Sequence, residues 1–301
     1  MGIFLADYSL REVVEKHGSH NQKTHGRKGS GKGSSSSARS GMGDIKLTGD
    51  MAADMKGGSA EEHLVKNEDG SYSFTPERQA LHDEIINKQL DGVPESKDPT
   101  FTIMGGGPAA GKSTLINSGK AEGVPLGKQA TQINPDTLKE ELPEWESMGN
   151  STKKAGFTHE ESSYLAKRQT AAAIERKTDM VLDGTGDTSA VSMGKKIDAA
   201  RSAGYKVNGV YVTMPTEKAL AGALDRAKTT GRYVSEDVIR MTHTEVSRVF
   251  PALTDKFDSL KLFDTTNLFA KGEAILLGSG TGGKFDILDK AGYQAFLDKG
   301  K

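Results

Sequence analysis

The run Gly106-Gly107-Pro108-Ala109-Ala110-Gly111-Lys112-Ser113 constrains the fold more than any other feature, because it satisfies G-x-x-x-x-G-K-[ST]. A loop of this kind works between a strand and a helix, and both flanks are present. Phe101-Thr102-Ile103-Met104 is a short apolar run that reads as a buried strand, and Ser113-Thr114-Leu115-Ile116 opens a helix. In that setting the backbone N–H groups face the phosphates of a nucleotide, and glycine lets the chain approach them closely. Lys112 then reaches the β/γ-phosphates, while the Ser113 hydroxyl ligates Mg²⁺. The expected nucleotide-binding set is Gly106, Gly107, Pro108, Ala109, Ala110, Gly111, Lys112, Ser113 and Thr114.

Apolar runs and helical patterns alternate after this loop. Strands are expected at 130–133, 180–182, 207–212 and 260–263, and helices at 159–177, 190–203, 216–228 and 236–248. Upstream, Thr75 as N-cap and Pro76 at the first helical position start a helix that runs to about Leu90. Strands separated by helices predict an α/β domain with a parallel sheet flanked by helices, over residues 71–301. An edge strand at 274–277 and a closing helix at 286–298 complete the expectation.

The front of the chain differs. Residues 17–40 contain no acidic residue and consist mainly of Gly, Ser, Lys, Arg and His, a composition that buries too little apolar surface to offset its ordering entropy. Residues 17–70 are therefore expected to form a disordered basic leader that adds little to the core. Residues 1–16, with Ile3, Leu10, Val13 and Val14 as an apolar stripe, are a candidate short amphipathic helix and docking peptide. His17, His20 and His25 lack neighbouring Cys or carboxylate partners, so the leader reads as a tether for nucleic acid or another polyanion rather than a metal site. There is no cysteine, which excludes disulfides and thiolate chemistry and fits a cytoplasmic setting. No membrane span or signal peptide is evident, and the chain is expected to be soluble and uncleaved.

A GTPase would need a base-reading N-K-x-D late in the chain. The nearest imitation, Asn87-Lys88-Gln89-Leu90-Asp91, has the wrong spacing and precedes the loop. A small-molecule kinase using ATP and Mg²⁺ fits better, since such an enzyme needs a carboxylate base, an acceptor site and closing cations. Asp136 falls just past the second strand, at the sheet edge where open α/β folds bind ligands. It is the candidate base, with capping of a helix from Thr137 as the structural alternative. Asp183 ends the apolar run 180–182 and could bind Mg²⁺ through water or hold an acceptor hydroxyl, with Thr185 adding a hydrogen bond. Arg226 and Arg232 bracket a polar hinge, as expected of a lid that neutralises charge on the transferring phosphoryl group.

Five segments in order, GGGPAAGKSTL, INPDTLKEELPEW, HEESSYLAKR, VLDGTGDTS and RAKTTGRYVSEDV, resemble the zeta toxin family of P-loop kinases and span most of residues 75–250. The resemblance implies transfer of phosphate to a sugar hydroxyl of UDP-N-acetylglucosamine, and an antitoxin partner. It implies Lys112 and Ser113 at the nucleotide and metal, Asp136 as general base, Asp183 and Thr185 at the acceptor, and Arg226 and Arg232 in the lid. Where the family often has Glu at the strand end and Arg later in the turn, this chain has Asp183 and Asp187. A further acceptor-binding glutamate has Ala171 as its nearest match, with Glu160 and Glu161 upstream. Other acceptors, namely an antibiotic, a nucleoside or another sugar nucleotide, are the alternatives within this class. Segment 19–26, SHNQKTHG, resembles short stretches of phage head and maturation proteins. That gives a different alternative: a phage-associated protein, in a bacterial host cytoplasm, docked to a particle through its N-terminus and carrying a regulatory nucleotide site.

Overall fold

The structure is a computed structural model that describes residues 43–185, 189–230 and 233–301. The candidate helix at 1–16, residues 17–42 of the leader, Asp187 and Arg232 lie outside the described residues. The first part comprises α1 (Gly49–Asp54), β1 (Leu64–Lys66), β2 (Tyr72–Phe74) and α2 (Pro76–Leu90). There follow β3 (Thr100–Gly105), α3 (Lys112–Asn117), β4 (Thr131–Ile133), α4 (Pro135–Glu140), α5 (Pro143–Ser147), α6 (Lys154–Phe157) and α7 (His159–Glu175). Next come β5 (Met180–Asp183), α8 (Ala190–Ser202), β6 (Lys206–Thr213), α9 (Thr216–Thr230) and α10 (Glu236–Val249). The chain ends in β7 (Ser259–Asn267), α11 (Leu268–Lys271), β8 (Glu273–Thr281), β9 (Lys284–Ile287) and α12 (Lys290–Asp298).

The main sheet has the order β4-β5-β3-β6-β7-β8-β9. Its first five strands are parallel and the last two antiparallel. Residue alternation explains how it is covered on both faces. Phe101 and Ile103 of β3, Val207 and Tyr211 of β6, and Leu260 and Leu262 of β7 enter one core with Ile86, Leu165, Ile197 and Phe250 of the helices. Met104, Val181, Val210, Val212 and Phe263 point the other way, onto Leu115 of α3 and Leu268 of α11. Strands buried on both faces read as continuous apolar runs, which is why they were legible in the sequence.

Two expectations about boundaries change. Residues 43–70 do not belong with a disordered leader: they form α1, β1 and a strap that packs on α7. Average composition hides the cause, because a few apolar side chains, Leu47, Met55, Ala60 and Phe74, gather around Tyr164. Gly43 lies so close to α7 that a Cβ there would stand 2.3 Å from the Arg168 carbonyl. At the other end, 274–277 is not the edge strand and the last helix starts at Lys290 rather than 286. Gly282 and Gly283, with φ of +58° and +81°, turn the chain back, so that β9 becomes the edge and Asp289 caps α12 by accepting from the Gly292 N–H.

Candidate active site

The glycine-rich loop leaves the central strand β3 and enters α3 at the carboxyl edge of the parallel sheet, with Gly106 at φ +135° and Gly111 at +84°. Neither angle suits a side chain, and Gly106 lies against β6, where a Cβ would meet Val212 at 2.7 Å. The Gly106 N–H donates to the Thr185 carbonyl at 2.8 Å, tying the loop to the turn after β5. From the other side the buried Thr265 hydroxyl donates to the Ala110 carbonyl at 2.6 Å.

Lys112 folds back over this loop and donates to the Gly106 and Gly107 carbonyls at 3.0 and 3.3 Å. Burial pushes its ammonium below the usual lysine range, the nearby Arg226 charge adds to that, and the carboxylates of Asp183 and Asp136 oppose it. Four of the residues singled out in the sequence thus share one electrostatic neighbourhood although they come from α3, α4, β5 and α9. The Arg226 Nε is buried and has no hydrogen-bond partner among the described residues, which leaves a donor for an anion.

Asp183, at the end of β5, accepts from the Ser113 hydroxyl at 3.4 Å and from the Asn134 side-chain amide at 3.2 Å. A hydroxyl and a carboxylate side by side below the loop suit a hard cation whose other ligands are phosphate oxygens and water. Among the described residues no group of three or more His, Cys, Asp or Glu could hold a metal alone.

Asp136 does not cap α4. Asn134 does, accepting from the Asp136 N–H at 2.9 Å, and Asp136 is the second residue of the helix. Its half-exposed carboxylate accepts from the buried Lys139 ammonium at 3.0 Å. His159, at the start of α7, lies in the same neighbourhood. Burial and the Lys139 charge lower its pKa, while Asp136 acts in the opposite sense.

Of the two upstream glutamates only Glu161 is fully committed within the fold. Glu161 is buried between Arg78, His82 and Ser59, and Glu160 is partly buried, with burial and Asp54 raising its pKa. Ala171 is in the core. Sequence reasoning missed Asn134, Lys139, Thr265 and His243, whose ring donates from α10 to the Pro108 carbonyl. For Asn134 a signal existed, since Asn before Pro at a helix start is a capping pattern. For Thr265 and His243 no local signal exists.

Residues 83–280 match the family model described as Zeta toxin. Among solved structures the chain is similar to the AvrRxo1-ORF1:AvrRxo1-ORF2 complex with sulphate ions, at TM-score 0.57 and 21% identity, covering 74% of this chain and 73% of that one. The same complex with ATP gives the same figures. The PezAT chromosomal toxin-antitoxin system of Streptococcus pneumoniae is matched at TM-score 0.52 and 15% identity, over 75% of this chain and 96% of that one. No curated protein sequence matches the chain.

Proposed function

The chain belongs to the zeta toxin family of kinase-like proteins, and on that premise we propose that it transfers the γ-phosphoryl group of ATP to a hydroxyl of a small molecule. The observation that carries this reading is the convergence of the Lys112 ammonium with the carboxylates of Asp136 and Asp183 and the charge of Arg226, at the open edge of the sheet. In-line transfer needs this combination of cations for the phosphoryl oxygens and a carboxylate for the attacking hydroxyl.

Asp136 takes the acceptor O–H proton as the new O–P bond forms and the bond from the γ-phosphorus to the β-bridging oxygen breaks, releasing ADP. Lys139 keeps Asp136 oriented in the ground state. Lys112 exchanges its two loop carbonyls for phosphate oxygens, and Arg226, joined by Arg232, neutralises the equatorial charge. Ser113 and Asp183 would hold Mg²⁺, which supplies charge neutralisation at the β- and γ-phosphates. Asp183 and Thr185 orient the acceptor, for which UDP-N-acetylglucosamine is the first candidate by family. The PezAT toxin–antitoxin system among the similar structures supports an antitoxin partner, and action in the bacterial cytoplasm is part of the same reading. Among the described residues no helix is long and apolar enough to cross a membrane.

ATP consumption across a panel of hydroxyl acceptors, with wild type and Lys112→Ala, tests the reaction. Acceptor-dependent turnover that Lys112→Ala abolishes supports it, and equal turnover in both proteins ends it. Titration of UDP-N-acetylglucosamine into the complex with a non-hydrolysable ATP analogue tests the acceptor: saturable binding that weakens in Asp183→Ala is expected, and no binding transfers the search to other hydroxyl compounds.

A further inference from the structure

His243 is buried in the fold, on α10, 135 residues from the loop it touches. Its Nε2 lies 3.0 Å from the Pro108 carbonyl oxygen, and because a carbonyl only accepts, the ring is the Nε2–H tautomer and donates. The same ring fills the space beside Gly107, where a Cβ would stand 2.2 Å from its Cδ2. One imidazole therefore braces two successive residues of the glycine-rich loop from beneath.

The consequence follows from peptide planarity. In a trans peptide the carbonyl and the N–H of the next residue point in opposite directions. A donor that holds the Pro108 carbonyl therefore turns the Ala109 N–H to the opposite side, away from His243. Ala109 itself is at φ +57°, a left-handed backbone that a residue with a Cβ adopts only when its surroundings hold it there. Successive N–H groups in such a conformation form an anion-binding concavity.

We propose that His243 is a positioning residue for triphosphate binding: its Nε2–H fixes the Pro108–Ala109 peptide in the orientation that presents the Ala109 N–H to a phosphate oxygen. This rests on the reading of residues 106–113 as the phosphate-binding loop. His243 is not an acid or base in the reaction. Burial, together with the charges of Lys299 and Lys112, holds its pKa at about 4 although the Pro108 contact acts in the opposite sense, so it stays neutral at physiological pH.

The test uses the full chain, ATP, inorganic tripolyphosphate and adenosine as calorimetric ligands, and two substitutions. His243→Leu fills the space without a donor, whereas His243→Gln retains an N–H. Loss of one neutral hydrogen bond predicts about 3- to 10-fold weaker binding of ATP and tripolyphosphate in His243→Leu, a raised KM for ATP with a smaller change in kcat, and recovery to within about twofold in His243→Gln. Adenosine affinity stays the same in all three proteins. Wild-type tripolyphosphate affinity in His243→Leu overturns the proposal. So does equal loss for adenosine and tripolyphosphate, which would mark a packing defect. Imidazole ¹⁵N spectra of the wild type give a check that needs no folded variant: a signal for neutral Nε2–H is expected, and the Nδ1–H tautomer overturns the assignment. Wild type that binds neither ATP nor tripolyphosphate removes the phosphate-loop reading itself, and the proposal with it.

Discussion

Two clusters of charge sit about α7 and the sheet edge, and they are built in opposite ways. Around Glu161 nearly every group has its partner: Arg78 donates to Glu161 at 2.5 and 2.7 Å and to Glu144 at 2.9 Å through both terminal nitrogens, His82 lies 2.7 Å from the same carboxylate, and Ser59 donates at 2.5 Å. Burial by itself would raise the Glu161 pKa, but the bonds from His82, Arg78 and Ser59 prevail and hold it at about 2. Around Lys112 the pairing is looser: Asp136 is half-exposed beside Lys139, and Asp183 accepts from the neutral Ser113 and Asn134. The Lys112 ammonium caps backbone carbonyls, it makes no ion pair among the described residues, and the Ser113–Asp183 contact is at the long limit of a hydrogen bond. Closed pairing stabilises a structure, whereas donors and carboxylates held near one another without mutual saturation are arranged for something that is not protein.

The largest effect that separates the two clusters is removal of the strap. Deleting residues 1–75 takes away Ser59, Asp44 and the buried Leu47, Met55 and Phe74, each of these three worth about 1.5–3 kcal/mol by burial. That loss approaches the whole stability of a domain, so circular dichroism should show an unfolded or aggregating protein. A cooperative melt near wild type would mean that the strap only lies on the surface.

Single carboxylates sharpen the same contrast. Asp136→Asn should lower phosphoryl transfer by ~10²–10⁴ and leave ATP affinity and thermal stability near wild type. Collapse of ATP binding instead would make Asp136 a structural or metal-holding residue. Glu161→Ala should do the reverse, costing about 3–5 kcal/mol in denaturant unfolding because it strands the buried Arg78, with turnover per folded molecule retained. If Asp136→Asn is the more destabilised of the two, the division into a closed and an open cluster is wrong.

Acid separates them again, more gently. His243 has a folded pKa of about 4 against an ordinary 6.5, so between those values the unfolded chain binds more protons than the folded one. Its contribution is complete above 6.5 and is lost as pH falls through 4, up to roughly 3 kcal/mol. Burial likewise keeps His82 low, in the same direction. Unfolding free energies measured from pH 7 to pH 4 should fall less steeply in His243→Gln than in wild type, and parallel curves would show that His243 is not held neutral. The smallest effect is expected at the front: removal of residues 1–42 should leave melting temperature and ATP turnover unchanged, since that composition builds no core. A clear drop in either would extend the strap beyond Gly43.

Legibility followed the range of the interactions. The glycine-rich loop between β3 and α3 could be read because one contiguous stretch of backbone makes it, and the position of Asp183 at the end of β5 because an apolar strand ending in an acid is a local pattern. The Thr75–Pro76 start of α2 was equally plain, and the Thr75 hydroxyl accepts from the Arg78 N–H as its type predicts. Composition misled over 43–70 because averaging dilutes the few residues that dock: Leu47 and Met55 are scattered among polar neighbours, and only the surface of α7 makes them a core. Asp136 was placed at the correct edge, yet its helix is capped by Asn134, two residues earlier.

Local sequence determined the strands, the glycine-rich loop, the carboxylate at the end of β5 and, through five ordered motifs, the family. These depend on residues near one another in the chain, where periodicity and turn chemistry act directly. Tertiary structure alone decided which charges are sealed and which stay open. Glu161 meets Arg78 across 83 residues, Asn134 meets Asp183 across 49, and His243 meets the loop across 135. No local propensity encodes such pairings, because each becomes favourable only after the sheet and its helices have brought the partners together and excluded the water that would otherwise satisfy them.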